Sequence, residues 1–393
     1  MTDDIYYSKR RLQRVLSQTK SDNHISEKNK EHIMKFYEFC FAQGLSDSRV
    51  VRILYSMIAA AKLLEKDFAE VDKGDAISMM GKLEASSYAD RTKQEFKITI
   101  KKFYKWLRNS EVFPPEVKWI KVENIGNRKL PEDLLTEDDV KNLINAAKNP
   151  RDRALVSILF ETGIRVGELL SLRLKNVAFD DYGTVLVVNG KTGMRRVRAI
   201  ASTPYLQSWL NQHPKKSGSE SALWIGYKDL SYNGVCVILK RLKRISGITK
   251  KVNPHNFRHS RATNLAACLP EAIMKEHFGW AKDSKMAATY VHLSGQAVDK
   301  AILSKVYGVE VNGDRKQAEF RPKECMRCKL TNAPTDSFCN RCGMALDKET
   351  IVKIIESENK QKYFGDALDK MLDDKEFLCM FMEKASKLLK TKT

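Results

Sequence analysis

The sequence has no apolar run long enough to span a bilayer, which takes about 18 consecutive apolar residues. Its most apolar segment, ILYSMIAAAKLL at 53–64, is shorter and carries Lys62, so it predicts a buried helix. The first residues, MTDDIYYSKRRLQR, contain no apolar stretch of the kind that secretory signals have. We therefore expect a cytoplasmic protein rather than one that spans a membrane.

The cysteines lack the dispersed, even pattern of a disulfide framework. Of the eight cysteines, four stand alone and the other four form two C-x-x-C pairs. This usage is typical of a reducing compartment.

Acidic residues are scarce relative to basic ones. The chain has 49 Asp and Glu against 69 Lys and Arg, which gives a formal charge of +20. Such an excess repels itself, and it is usually tolerated because the partner is a polyanion such as nucleic acid. A ribosome-associated or merely soluble basic protein is the alternative at this point.

The length of 393 residues is too great for one ordinary core and predicts two or three domains. Apolar residues at helical spacing and an NGKTG turn between two β-like runs predict a mainly α fold with a small β-hairpin or sheet, an α+β class. TEDD at 136–139 matches a helix capping box and marks the start of the larger domain. That domain continues through RDRALVSILFETG and GELLSLRLKNV, which we interpret as helices. The expected segments are a basic N-terminal segment (1–23), a helical domain (24–120), a linker (121–133), a larger domain (134–310), a cysteine-rich module (322–346) and a helical tail (347–393).

The helix predicted at RTKQEFKITIKKFYKWLR (91–108) has one apolar and one cationic face. Four lysines recur every fourth residue along the cationic face: Lys93, Lys97, Lys101 and Lys105. We expect this stripe to contact the DNA backbone, and a solvated lysine face is the alternative.

Cutting and rejoining DNA without hydrolysis needs a nucleophile for phosphorus, cations for the equatorial oxygens and an acid for the departing sugar oxygen. Arginine suits the second task because its planar fork reaches two oxygens and keeps its charge. Preorganised charge of this kind is often the largest contribution to catalysis, and it needs no divalent metal. The candidates are Arg165, Lys191, His255, Arg258, Trp280 and Tyr290. Each of them alone is more often a packing or surface residue.

The order of these residues resembles that of the tyrosine recombinases, the phage integrase family. TGIRVGELLSLR is similar to the first arginine box, NGKTGMRRVRAI to the catalytic-lysine hairpin, and PHNFRHSRAT to the His-x-x-Arg box. GW…YVHL is similar to the terminal box with the nucleophile, and DSKMAATY before VHLS looks most like archaeal members. The helical region 24–120 resembles the family's core-binding domain, which forms one jaw of a clamp on duplex DNA.

The resemblance implies a site-specific recombinase or integrase that needs neither metal nor ATP for its chemistry. The implied roles are phosphate binding by Arg165 and Arg258, general acid catalysis by Lys191, proton transfer by His255, a phosphate hydrogen bond from Trp280 and a 3′-phosphotyrosyl intermediate on Tyr290. Trp280 departs from the pattern, since histidine is more common there. His259 and Arg261 are expected to pack or to contact the backbone.

The resemblance also implies double-stranded DNA as partner and a homo-tetramer on DNA, with a monomer or dimer in its absence. Family members link protomers by swapped C-terminal helices, and AVDKAILSKVYGV (297–309) is the candidate here. Packing within one protomer is the alternative.

Two C-x-x-C pairs, CMRC and CNRC, are separated by ten residues and predict a zinc ribbon. The ligands are Cys325, Cys328, Cys339 and Cys342, since four thiolates at this spacing can surround a structural Zn²⁺. A redox dithiol or disulfide is the alternative. Whether the ribbon touches DNA, another protomer or an accessory protein stays open.

Two other functions fit the same sequence. One is a DNA-binding regulator that keeps the fold without catalysis, and the other is a type IB topoisomerase-like enzyme. The complete set of residues from Arg165 to Tyr290 disfavours the regulator.

Overall fold

The computed structural model describes residues 6–123, 131–190, 193–291, 307 and 320–372, together with residues 375, 376, 380 and 382. Helices dominate this described part, with one three-stranded and one two-stranded sheet, so the predicted fold class is confirmed. Contacts divide the chain into two compact units, residues 1–134 with 230–235 and residues 135–229 with 236–393. Within the described residues, no helix is both long and apolar enough to cross a membrane. The predicted segment limits stay predictions.

The first unit is a helical bundle with its own apolar core. Its helices are α1 (Ser8–Ser21), α2 (Glu27–Ala42), α3 (Asp47–Leu64), α4 (Lys73–Ala85), α5 (Asp90–Leu107) and α6 (Pro115–Lys118). Helix α3, which contains the apolar segment 53–64, packs against α1, α2, α4 and α5. Phe36, Phe68 and Phe103 are almost fully buried at the centre of this core.

The second unit is built around a buried helix. Its described helices and strands before the cysteine-rich module are α7 (Glu137–Ala146), α8 (Pro150–Thr162), α9 (Val166–Leu170), β1 (Val177–Asp180), β2 (Gly183–Gly190), β3 (Gly193–Ala199), α10 (Thr203–Asn211), α11 (Tyr232–Ser246, of which residues 236–246 belong to this unit), α12 (Pro254–Ala266), α13 (Glu271–Phe278) and α14 (Met286–Val291). Helix α8 is buried from Ala154 to Thr162 and packs against α7, α10, α12 and β3. Thr136 and Asp139 form the predicted capping box at the start of α7.

The predicted hairpin is the core of a three-stranded antiparallel sheet in the order β1-β2-β3. Gly190 pairs with Gly193, so residues 191 and 192 alone connect β2 to β3. Strand β1 was not predicted, and the helix predicted at GELLSLRLKNV (167–177) is shorter than expected. That helix ends after Leu170, since the backbone of Leu172 and Leu174 bonds to residues 221 and 223 instead of continuing the turn.

The cysteine-rich module begins with a two-stranded sheet, β4 (Lys323–Glu324) paired with β5 (Thr331–Asn332). It packs on the second unit at two points. The Phe320 ring meets the edge of the Phe160 ring at 5.5 Å, and the Tyr205 hydroxyl on α10 shares a 2.7 Å hydrogen bond with the Thr335 hydroxyl. A long helix, α15 (Lys348–Leu372), follows.

Candidate active site

Three arginines donate hydrogen bonds to backbone carbonyls at the C-terminal end of helix α13. Its last turn leaves carbonyl oxygens without partners in the helix, and Gly279 ends it in a left-handed conformation with φ 58°. Three successive carbonyls accept from three guanidinium groups: His277 from Arg195 Nε at 2.9 Å, Phe278 from Arg258 Nη2 at 2.6 Å and Gly279 from Arg165 Nη2 at 2.8 Å. The three arginines thus connect the start of α9, strand β3 and helix α12 to the last turn of α13.

Glu168 holds two of these arginines together. Its carboxylate accepts hydrogen bonds from Arg165 Nη1 at 2.9 Å and from both terminal nitrogens of Arg195 at 2.9 and 2.8 Å. Burial by itself would raise the pKa of this carboxyl group, but the bonds and charges of Arg195 and Arg165 outweigh it and lower the pKa. Glu168 is therefore an anion that orients Arg165.

Arg258 is the most enclosed of the three arginines. Only 7% of the residue is exposed, and its guanidinium carbon lies 4.9 Å from the centre of the Phe278 ring. Burial, and then the neighbouring charge of Arg165, lower its pKa to about 9. The group still carries its proton at neutral pH, so two cations lie side by side and favour an anionic ligand between them.

Gly163 allows this close packing. It has φ +58°, its carbonyl accepts from Arg258 Nη1 at 2.9 Å, and a Cβ built there would lie 2.6 Å from Phe278 Cε1. Any side chain would therefore push Phe278 away from the guanidinium that it covers.

Tyr290 on α14 lies against this arginine cluster. Its ring is parallel to the Trp280 ring, with an interplanar angle of 1° and centroids 5.8 Å apart, and Trp280 in turn stacks on Phe278. Only 8% of Tyr290 is exposed, and burial raises its pKa to about 12 despite the opposing charge of Arg258. The phenol is thus held in place in its neutral form.

Two histidines one helical turn apart on α12 connect to this phenol. The Tyr290 hydroxyl is hydrogen-bonded to His259 Nδ1, and His259 Nε2 lies 2.8 Å from His255 Nε2. His255 is exposed, whereas Arg258 on the same helix is buried. His255 is linked to the tyrosine through His259.

Comparison with known proteins agrees with this arrangement. The model of the phage integrase family matches residues 133–297. Tyrosine recombinase XerA of Pyrococcus furiosus is 29% identical over 296 residues, which make up 71% of this chain and 97% of the relative. Tyrosine recombinase XerD of Oceanobacillus iheyensis is 32% identical over 194 residues, 46% of this chain and 62% of the relative.

Solved structures share the fold at low sequence identity. The XerH recombinase bound to a difH substrate has a TM-score of 0.52 at 16% identity and covers 77% of this chain and 96% of its own. A lambda integrase (75–356) dimer on a COC' core site has a TM-score of 0.54 at 14% identity, covering 68% of this chain and 96% of its own. Residues 133–297 thus match the phage integrase family, and the curated relatives that the chain resembles are tyrosine recombinases.

Lys191, the predicted general acid, lies outside the described residues, as does all of the segment 297–309 except Tyr307. The described end of the lysine hairpin nevertheless reaches the arginine cluster. A Cβ built on Gly190 would lie 2.2 Å from Glu168 Oε1, so glycine is required for this approach.

The lysine stripe on α5 is not a solvated face. Lys97 pairs with Glu84 at 2.6 Å, Lys93 donates to the Glu84 carbonyl at 2.7 Å, and Lys101 donates to the Ile120 carbonyl at 2.8 Å. Lys105 lies 6.0 Å from the centre of the Phe113 ring. DNA contact by this stripe stays a prediction, and the observed contacts favour a role in packing.

The four predicted metal ligands form a cluster. The Sγ atoms of Cys325, Cys328, Cys339 and Cys342 all lie within 4.8 Å of one another. Tetrahedral zinc with Zn–S bonds of about 2.3 Å places its sulfurs about 3.8 Å apart. The Sγ distances of 3.5 Å for Cys325–Cys342 and for Cys328–Cys339 fit that geometry.

Sequence reasoning missed Arg195 and His259. Arg195 lies in the hairpin segment NGKTGMRRVRAI, but no spacing along the sequence links it to Glu168 or to α13. His259 had a usable signal, since residues four apart on a helix are neighbours and His255 was already a candidate. The expectation that it only packs or contacts the backbone is incomplete, because its ring bonds to the Tyr290 hydroxyl. Arg261 does pack as expected, and burial lowers its pKa.

Proposed function

We propose that the chain is a site-specific recombinase that cuts DNA by forming a 3′-phosphotyrosyl bond on Tyr290 and rejoins it to a new partner strand. The observation that carries the proposal is the position of the Tyr290 ring, stacked on Trp280 beside the guanidinium of Arg258. A buried phenol that only filled the core would need a hydrogen-bond partner, but it would not need an adjacent pair of cations.

Arg165 and Arg258 are the proposed phosphate ligands. Each uses two contacts to hold the protein together, on Glu168 and Gly279 for the first and on Gly163 and Phe278 for the second. A guanidinium group has five N–H donors, so each keeps donors for two phosphate oxygens. Because these contacts exist before DNA binds, the charge is preorganised for the pentacovalent transition state.

Trp280 and Lys191 complete the proposed site. The Trp280 ring fixes the plane of Tyr290 and carries an N–H donor for the phosphate. Lys191 is the proposed acid that protonates the departing 5′-oxygen. Energy stored in the phosphotyrosyl bond permits rejoining without ATP. Double-stranded DNA is the proposed partner, with a homo-tetramer on two duplexes as the proposed assembly.

The test uses a library of nicked duplexes with a randomised centre. A nick near the scissile phosphate lets the short product diffuse away and traps the covalent complex. DNA that stays attached to protein in detergent is recovered and sequenced, which also defines the target. We expect adducts with the wild type and none with Tyr290→Phe. A wild type that binds DNA without forming adducts would indicate the non-catalytic regulator instead.

A second assay separates recombination from topoisomerase-like activity. Two labelled duplexes that carry the recovered site are mixed with the protein, and a supercoiled plasmid with the same site is treated in parallel. Exchange of label between duplexes is expected. Relaxation of the plasmid with no exchanged product would contradict the proposal.

We further propose that the cysteine cluster binds one structural zinc ion. The donor set is four thiolates, which zinc prefers, and the sulfur separations suit a tetrahedral site. Such a module is too small to be stable alone, so zinc supplies much of its folding free energy. Its contacts with Tyr205 and Phe160 then attach it to the body of the second unit.

Metal analysis of the purified protein tests the zinc site. We expect one zinc per chain, lost in Cys328→Ser and in Cys342→Ser. Cys268→Ser is the matched control, since Cys268 is exposed and outside the cluster. A zinc content that does not change in the first two variants, or a protein that contains a disulfide in place of zinc, would refute the site.

A further inference from the structure

The proposed nucleophile requires a proton acceptor. Burial raises the pKa of Tyr290 to about 12, so only about one molecule in 10⁵ carries a phenolate at pH 7. The charge of Arg258 opposes this effect without overcoming it. A base must therefore take the proton as the oxygen attacks phosphorus.

His259 is the group in contact with that proton. Its Nδ1 is hydrogen-bonded to the Tyr290 hydroxyl, and the two rings lie 5.7 Å apart at 47°. Because Trp280 fixes the plane of the Tyr290 ring, the hydroxyl has little freedom to turn elsewhere. The guanidinium of Arg258, the other nearby charged group, is a donor only and cannot accept a proton.

The second ring nitrogen of His259 sets the tautomer. If Nδ1 accepts from the phenol, the proton of the neutral ring is on Nε2, which then donates to His255 Nε2 at 2.8 Å. His255 thus acts as an acceptor behind His259, as a carboxylate does behind the histidine of a catalytic triad. When His259 takes up a second proton, this bond stabilises the imidazolium.

We propose that His259 is the catalytic base that deprotonates Tyr290, with His255 as the positioning residue that supports it. This inference rests on the proposed function and reassigns proton transfer from His255 to its neighbour. In the step, the Tyr290 O–H proton moves to His259 Nδ1 while Tyr290 Oη bonds to the scissile phosphorus. The bond from phosphorus to the 5′-oxygen breaks, and that oxygen takes a proton from a separate acid. On rejoining, His259 returns its proton to Tyr290.

Two variants separate basicity from position. His259→Ala removes the group, and His259→Asn places an amide near the position of Nδ1 without a basic nitrogen. Both should slow adduct formation on the nicked duplex by about 10²- to 10⁴-fold, the usual contribution of a general base. Circular dichroism of each variant checks the fold, and binding to the same duplex in a gel shift should stay within a few-fold of wild type.

A duplex with a sulfur leaving group distinguishes removal of the Tyr290 proton from protonation of the leaving group. When the bridging 5′-oxygen is sulfur, the leaving group no longer needs an acid, but the tyrosine still needs a base. The His259 variants should stay slow on this duplex, whereas a Lys191→Ala variant should recover. Raising the pH should speed the His259 variants about tenfold per unit, because the phenolate fraction grows by that factor below the pKa of Tyr290.

The outcomes are distinct. A His259→Asn variant that reacts as fast as wild type, or a sulfur duplex that restores His259→Ala, would overturn the role of His259 while the proposed function stands. Slow variants on both duplexes with rescue at high pH support it. A wild type that forms no adduct on any duplex would overturn the proposed function and the base together.

Discussion

The salt bridge between Arg195 and Glu168 gives a quantitative test of how the site is held together. Arg195→Met keeps the length of the side chain but removes two hydrogen bonds to Glu168 and one to the His277 carbonyl. Side-chain exposure is 9% for Arg195 and 4% for Glu168, so the carboxylate cannot turn to water. Breaking a buried pair costs about 3–5 kcal/mol. We expect about 3 kcal/mol, because Arg165 still bonds to Glu168.

A thermal melt of the whole chain measures this effect. For a unit of this size, about 3 kcal/mol lowers the melting temperature by roughly 6–12 °C. Arg198→Met is the matched control, since Arg198 lies on the same strand and also makes two bonds to a carboxylate, Asp180, but that pair is exposed. The control should melt close to wild type. Equal shifts for the two variants would refute the view that Arg195 supports the site through a buried contact.

Three further predictions follow from the same contacts. Burial lowers the pKa of His277 from 6.5 to about 4. Because the unfolded chain then takes up the proton at a higher pH than the folded chain, the free energy of unfolding should fall by about 3 kcal/mol as the pH drops from 6.5 to 4. In denaturant titrations at several pH values, His277→Gln should lack this loss. Gly163→Ala should lower the free energy of unfolding by several kcal/mol because the new methyl group clashes with Phe278. Gly44→Ala is the control, since Gly44 also has a positive φ of +71° but open space around it, and it should lose only about 1–2 kcal/mol to backbone strain. Equal losses in a thermal melt would exclude the clash. If the predicted DNA contact of the α5 lysines is right, Lys97→Ala with Lys101→Ala should flatten the salt dependence of DNA binding by about 0.9 per lost phosphate contact, and an unchanged slope would assign these lysines to packing.

Much of the site could be predicted from the sequence because its parts lie in short, local patterns. The capping box at Thr136 and the hairpin around NGKTG depend on neighbouring residues, and both are observed. The cysteine spacing likewise predicted a cluster that the structure shows. Spacing along the chain was enough in each case because the partners are a few residues apart or joined by one turn.

The remaining features depend on contacts between distant segments. Arg195 is linked to Glu168 and to His277 across long stretches of chain, and no local periodicity encodes such a meeting. The lysine stripe on α5 has the spacing of a free cationic face, yet Glu84 from α4 pairs with it. A helical pattern cannot show which neighbouring element will supply the counter-charge. For the same reason the helix predicted at GELLSLRLKNV was too long, since the backbone of Leu172 and Leu174 bonds to the distant residues 223 and 221.

The most direct test of the account is to locate the protein–DNA bond. The wild-type adduct with a captured nicked duplex is digested with protease and nuclease, and the peptide that retains a nucleotide is sequenced by mass spectrometry. We predict a phosphodiester on the Tyr290 hydroxyl, within the α14 peptide, and no such peptide from Tyr290→Phe. A nucleotide attached to any other residue, or an adduct that persists in Tyr290→Phe, would contradict the assignment of Tyr290 as the nucleophile.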